Sequence, residues 1–158
     1  MGLTYDDVDH LILTHNHGDH IGSTDEVIAM APGAAVYAGE PDIAGIQVDG
    51  LDPDSIVALT GGEDVFGLEM IATPGHTPGH MAVIDQESGL LVAGDSIFTD
   101  AGAVIEGPEQ FFNDIPLSRD SIRQMASLTV NTLLVGHGEP IEGSAGDAIA
   151  ALAAELPS

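Results

Sequence analysis

Four side chains that can bind metal stand within six positions of the stretch LTHNHGDHIG (residues 13–22): His15, His17, Asp19 and His20. Imidazole and carboxylate are good ligands for zinc and for other divalent metals such as manganese and iron. His15 and His17 are two apart, so in an extended loop both rings point to one side and can reach one ion. Asp19 and His20 are adjacent and diverge, which suits a second ion close by. Gly18 frees the backbone for the bend between the two pairs. Further polar tips occur in MIATPGHTPGH (His76 and His80), in LLVAGDSIF (Asp95) and in TLLVGHG (His137). Asp95 is the candidate to bridge two ions, since dinuclear sites hold metals roughly 3.5–4 Å apart and activate a shared water. Taken singly, Gly94-Asp95, TPG and GHG are ordinary turn chemistry. Their joint occurrence with H-x-H-x-D-H is what points to a metal site. His10 lies inside a predicted strand and is expected to be structural.

Each of these tips follows a predicted strand. Residues 10–14 (HLILT) form a short apolar run of β-formers. A helical segment opens at Gly18, carries Ile21, Val27, Ile28 and Met30 on its apolar side, and is stopped by Pro32-Gly33. Strands follow at 34–39 and 56–59, with a short helix over 40–47 between them. Residues 65–66 and 68–73 predict one hairpin, and 81–85 and 90–93 a second around QESG. A helix over 118–128 has Ser118 as its N-cap, a strand spans 132–135, and an Ala-rich helix spans 145–156. Helices and strands alternate with hairpins in the middle, which predicts an α/β layered domain with a mixed sheet. Loops at strand ends converge on one crevice in such domains.

Composition bounds the function classes. The chain has 158 residues, 26 acidic against two arginines and no lysine, and a formal charge of −24. That charge excludes nucleic acid as a partner, because phosphate binding needs Lys and Arg to displace counterions, and it disfavours anionic membranes. The composition, rich in Asp, Glu, Ala and Gly, resembles that of proteins from salt-loving microbes, where salt screens self-repulsion. With 44% hydrophobic residues the chain folds around a real core, built from aliphatic side chains because aromatics make up only 4%. There is no Cys, hence no disulfide and no thiolate ligand. No apolar run reaches the ~20 residues of a membrane span, and the first residues are not a signal peptide, so a cytoplasmic location is expected.

The motifs H15-N-H-G-D-H20, TPGHTPGH (residues 73–80), AGDSIF (93–98) and GHGEP (136–140) resemble, in order and spacing, those of the metallo-β-lactamase superfamily. The resemblance spans residues 8–156 and implies an αββα sandwich with mixed sheets and metals at one sheet edge. It implies that His15, His17 and His76 hold one metal, that Asp19, His20 and His137 hold a second, and that Asp95 bridges them. The two divalent ions are expected to be zinc, with iron or manganese as alternatives. His76 is chosen over His80 because the family's first histidine of G-H-T-x-x-[HN] binds metal. His80 then supports the ligands from behind or faces substrate, and Thr77 braces the loop. The implied reaction is hydrolysis of an ester, thioester or lactone of a small-molecule substrate, with Asp19 also holding the attacking water and passing protons.

Lack of Cys at the Asp95 position argues against antibiotic hydrolysis as the native role. GDSIF and TPGHTPGH are closer to glyoxalase II-like thioesterases and the broad class of hydrolases related to them, while the 21 residues after His137 and the lack of Lys argue against glutathione thioester specificity. The same ligand pattern also serves lactonases and sulfur dioxygenases, the latter with one iron on the positions of His15, His17 and His76. A non-catalytic, truncated metal-binding domain is the third reading. Family members carry further strands ahead of the H-x-H-x-D-H loop, whereas here one predicted strand precedes it. The sequence-based expectation is therefore a fold short of its first strands, with an exposed sheet edge that a homo-oligomer could cover. The segment 101–115 carries Phe111 and Phe112, which either lid the site or pack in the core.

Overall fold

The computed structural model describes residues 2–157. Its strands are β1 (His10–Leu13), β2 (Ala35–Gly39), β3 (Val57–Leu59), β4 (Asp64–Val65), β5 (Leu68–Ala72), β6 (Met81–Asp85), β7 (Leu90–Val92), β8 (Phe98–Asp100), β9 (Ala103–Ile105), β10 (Thr132–Leu134) and β11 (Ile141–Glu142). The α-helices are α1 (Gly18–Ile21), α2 (Thr24–Met30), α3 (Ile115–Met125) and α4 (Ala145–Glu155). A parallel sheet has the order β1-β2-β3, a mixed sheet the order β11-β10-β7-β6-β5-β4, and β8 and β9 form a separate hairpin.

Side-chain alternation builds the layers. In β6, Met81 and Val83 face one way and Ala82 and Ile84 the other, as the period of two requires. Met81 and Val83 join Leu59, Val65 and Met70, with Ile12 and Tyr37 of the parallel sheet, in a core between the sheets. Ala82 and Ile84 join Ile71, Leu91, Ile122, Met125 and Ile149 in a second core beneath α3 and α4. Leu13, Ile21, Val36, Ala38 and Ile46 form a third core between the parallel sheet and α1. A strand buried on both faces reads as an unbroken apolar run, and MAVI is one. The result is an α/β/β/α sandwich. Among the described residues no helix is long and apolar enough to cross a membrane.

Several elements differ from the sequence-based expectation. The helix expected from Gly18 onward is two pieces, parted at Gly22-Ser23, where helix propensity is low. The expected helix over 40–47 is a 3₁₀ stretch, Glu40–Gly45, with Pro41 in its first turn and Gly45 at its end. Ser118 is not an N-cap. α3 starts a turn earlier, capped by Asp114, whose Oδ1 accepts the Leu117 N–H at 2.9 Å. Pro116 sits in that first turn, where its missing N–H has no cost. The strands of the β8–β9 hairpin, three residues each, and the two-residue β11 are too short to show a strand period in sequence. The β4–β5 turn has Phe66 and Gly67 both at positive φ (58° and 82°), the conformation a two-residue hairpin turn demands. It leaves Phe66 81% exposed beside β1, itself an edge strand.

Strand direction positions the site. β5 is antiparallel to β6, β6 to β7, and β7 is parallel to β10, so β5, β7 and β10 run the same way. Their C-terminal ends open into the loops bearing His76, Asp95 and His137. β1 ends at the same edge, where the Met81 N–H donates to the Thr14 carbonyl at 2.8 Å.

Candidate metal centre

The four loops deliver their side chains to one point. His15, His17 and His76 offer ligand atoms that all lie within 4.8 Å of one another, and so do Asp19, His20 and His137. A third such group, His15, His20 and Asp95, joins the two. Asp95 is central: its oxygens lie 3.3 Å from His20 Nε2, 3.4 Å from His76 Nε2, 3.5 Å from His137 Nε2 and 4.0 Å from His15 Nε2. Asp19 Oδ2, at the exposed mouth, is 3.1 Å from His137 Nε2 and 3.5 Å from His20 Nε2. His17 Nδ1 and His76 Nε2 are 2.9 Å apart.

Burial sets the charge of these groups. His15 is fully buried and its pKa is lowered to about 2, by desolvation first and then by the neighbouring His20, His76, His17 and His137. His76 is lowered to about 4, again chiefly by burial. Both rings are therefore neutral near pH 7, the form that binds metal. His20 shifts upward, drawn by the Asp95 carboxylate against the cost of burial. Burial pushes Asp95 up, but His20, with His76 and His137, outweighs it and holds the carboxyl below its ordinary range. His15 Nε2, His20 Nε2 and Asp95 Oδ1, which face one another, are buried without a well-directed hydrogen-bond partner. Buried polar atoms are normally satisfied, so this concentration of orphans at one point fits residues built to hold cations.

Supporting groups fix the ligands. His80 is fully buried and does not line the cavity over the centre. Its Nε2 accepts the Asp95 backbone N–H at 3.0 Å. The ring is neutral, because burial drives its pKa well down, so Nδ1 carries the proton and faces Thr73 Oγ1 at 2.8 Å and Ser96 Oγ at 3.0 Å. A Cβ at Gly94 would lie 2.7 Å from His80 Nε2, so glycine is needed where this turn packs on the ring. Gly136, beside His137, is equally constrained, since a Cβ there would collide with Asp95 and His20. Thr77 donates to Asp42 Oδ2 at 2.6 Å. Asp42, fully buried, was not singled out in the sequence, where EPD reads as an ordinary helix start.

His10 stands apart from the site, its Nδ1 3.1 Å from the Tyr37 hydroxyl. A cavity of about 370 Å³ opens over the centre, lined by His17, Asp19, His76, Asp95, Phe98, Phe111 and His137. Phe98 stacks on His137 (centroids 5.6 Å apart, 13° between planes), and Phe112 meets the His76 ring edge-on at 5.0 Å. Phe111 thus faces the cavity, while Phe112 packs behind a candidate ligand.

Comparison with known proteins agrees with this architecture. The chain is 33% identical over 156 residues to the uncharacterized protein YobT of Bacillus subtilis, covering 82% of this chain and 67% of YobT. It is 35% identical over 122 residues to a hydroxyacylglutathione hydrolase of Synechococcus, covering 73% of this chain and 44% of that protein. The chain thus spans under half the length of that hydrolase. A metallo-beta-lactamase superfamily protein from Sulfolobus tokodaii shares the fold with a TM-score of 0.70 at 23% identity, over 89% of this chain and 66% of that one. The sequence model of the metallo-beta-lactamase superfamily matches residues 2–137, and the chain belongs to that superfamily.

Proposed function

We propose that this chain is a metal-dependent hydrolase that cleaves the carbonyl bond of a small ester, thioester or lactone. The observation that carries this reading is the Asp95 carboxylate lying between two ligand sets under a single cavity. In it, His15, His17 and His76 would hold one ion and Asp19, His20 and His137 the other, with the Asp95 carboxylate available to both. Zinc suits this nitrogen- and oxygen-rich set, with iron or manganese as the alternatives. The hydroxyacylglutathione hydrolase relative supports a thioester among the substrates.

When bound, two divalent ions would supply Lewis acidity for the carbonyl and would lower the pKa of water to about 7. The chain does the rest. Asp19 Oδ2, exposed at the mouth and 3.1 Å from His137 Nε2, takes the proton of the attacking water and returns it to the leaving group. Phe98 and Phe111 form an apolar wall that seats the acyl part and keeps bulk water off the carbonyl. His80 and Thr77 hold the loops so that ligand atoms need no rearrangement. No side-chain nucleophile is required.

The test is elemental analysis of the purified chain together with turnover of thioester, lactone and aryl ester probes. Two zinc ions per chain, and turnover abolished by His76→Ala and by Asp95→Ala, is the expected result. Turnover unchanged by either substitution overturns the reading. One iron per chain, with oxygen consumed on a persulfide, favours the dioxygenase instead.

A further inference from the structure

Asp42 lies in the 3₁₀ stretch after β2, on a different sheet from His76, yet it meets both histidine loops of the first ligand set. Its Oδ2 accepts the Asn16 backbone N–H at 3.2 Å and the Thr77 hydroxyl at 2.6 Å, and its Oδ1 accepts the Gly79 N–H at 2.7 Å. Asn16 is the residue between His15 and His17, and Thr77 directly follows His76. One carboxylate thereby ties the Asn16 backbone, between His15 and His17, to the Thr77 hydroxyl and the Gly79 backbone, in the loop that follows His76. Asp19, His20 and His137 receive none of these bonds.

The surroundings are shaped for that contact. Asp42 is fully buried. A Cβ at Gly79 would lie 2.8 Å from both Cβ and Cγ of Asp42, and one at Gly39 would run into the Gly79 carbonyl. Close approach of the two loops therefore depends on two glycines, one on each side. An ionised carboxylate is acceptor-only and suits three converging donors, whereas an amide must turn its NH₂ towards at least one of them.

We propose that Asp42 is a positioning residue for the first metal, locking the His15–His17 loop to the His76 loop so that three imidazoles are aligned before the ion arrives. The inference rests on the dinuclear reading above, and its test separates the two. Zinc affinity is measured by competition with a chromophoric chelator in two backgrounds. His137→Ala weakens the second ligand set and His76→Ala the first.

Asp42→Asn is expected to lower affinity in the His137→Ala background by about tenfold to a hundredfold, the usual consequence of losing a ligand's supporting partner. It leaves affinity in the His76→Ala background unchanged. Thr77→Val, which removes one of the three bonds, gives a smaller loss of the same kind, and Thr77→Ser restores the affinity. Should Asp42→Asn not fold, the Thr77 pair decides the matter. Equal losses in both backgrounds, no loss in either, or a Thr77→Ser variant no better than Thr77→Val overturns the proposal. A parent chain that binds no zinc removes the dinuclear reading and this inference with it. A parent that binds two ions while the Asp42 and Thr77 variants match it removes this inference alone.

Discussion

Replacing His80 tests whether the centre is held by its supporting bonds. In His80→Leu the Asp95 N–H loses its acceptor at 3.0 Å in a buried place. A buried donor left unsatisfied costs about 1–3 kcal/mol, and the lost bond from Nδ1–H to Thr73 about 1 kcal/mol more. Ser96 already donates to the Thr73 carbonyl at 3.3 Å, so the hydroxyls keep part of their bonding. Leucine is close enough in volume to leave no large cavity. The metal-free chain should therefore lose about 2–4 kcal/mol, which at a urea slope near 2 kcal/mol/M is a fall of about 1–2 M in midpoint. His80→Gln places an oxygen near the Nε2 position and should recover most of the loss. His80→Asn reproduces only the Nδ1 side, leaves the Asp95 N–H unpaired, and should recover less. A leucine variant as stable as the parent, or asparagine outperforming glutamine, would refute the reasoning.

Other outcomes follow from the same geometry. His15, His76 and His80 are neutral in the fold because their pKa values lie below 6.5, so the unfolded state takes up more protons as pH falls. Above pH 6.5 these rings are neutral in both states and cost nothing; below it the fold is penalised, down to about pH 4 for His76 and about pH 2 for His15, and the urea midpoint of the metal-free chain should fall from pH 6.5 downward. Asp114→Ala removes the α3 cap and should cost about 1 kcal/mol, read as a drop of about 2–4 °C in Tm. At a formal charge of −24, molar potassium chloride should raise Tm through screening of self-repulsion, and a Tm indifferent to salt would count against that account.

The candidate ligands were legible as a set because H-x-H-x-D-H and three strand-end tips are short-range patterns in sequence, and the fold brings them together. Strand direction was legible only through element order, and the common edge of β5, β7 and β10 follows from a register no sequence window contains. Asp42 was invisible for a related reason: its partners Asn16, Thr77 and Gly79 are distant along the chain, and an acid after a strand resembles a helix start. α3 was misplaced by a turn because Ser118 and Asp114 are both good caps, and only the Leu117 N–H contact separates them. For Phe111 and Phe112, composition could not decide between lid and core. The 3₁₀ turn Glu109–Phe111, which passes into extended backbone at Phe112, splits them, one to the cavity and one to the His76 ring.

The most direct test of the dinuclear centre is an anomalous difference map from zinc-soaked crystals. The account predicts two peaks roughly 3.5–4 Å apart, one against His15, His17 and His76, the other against Asp19, His20 and His137, with Asp95 between them. A single peak, or zinc bound away from Asp95, would contradict it.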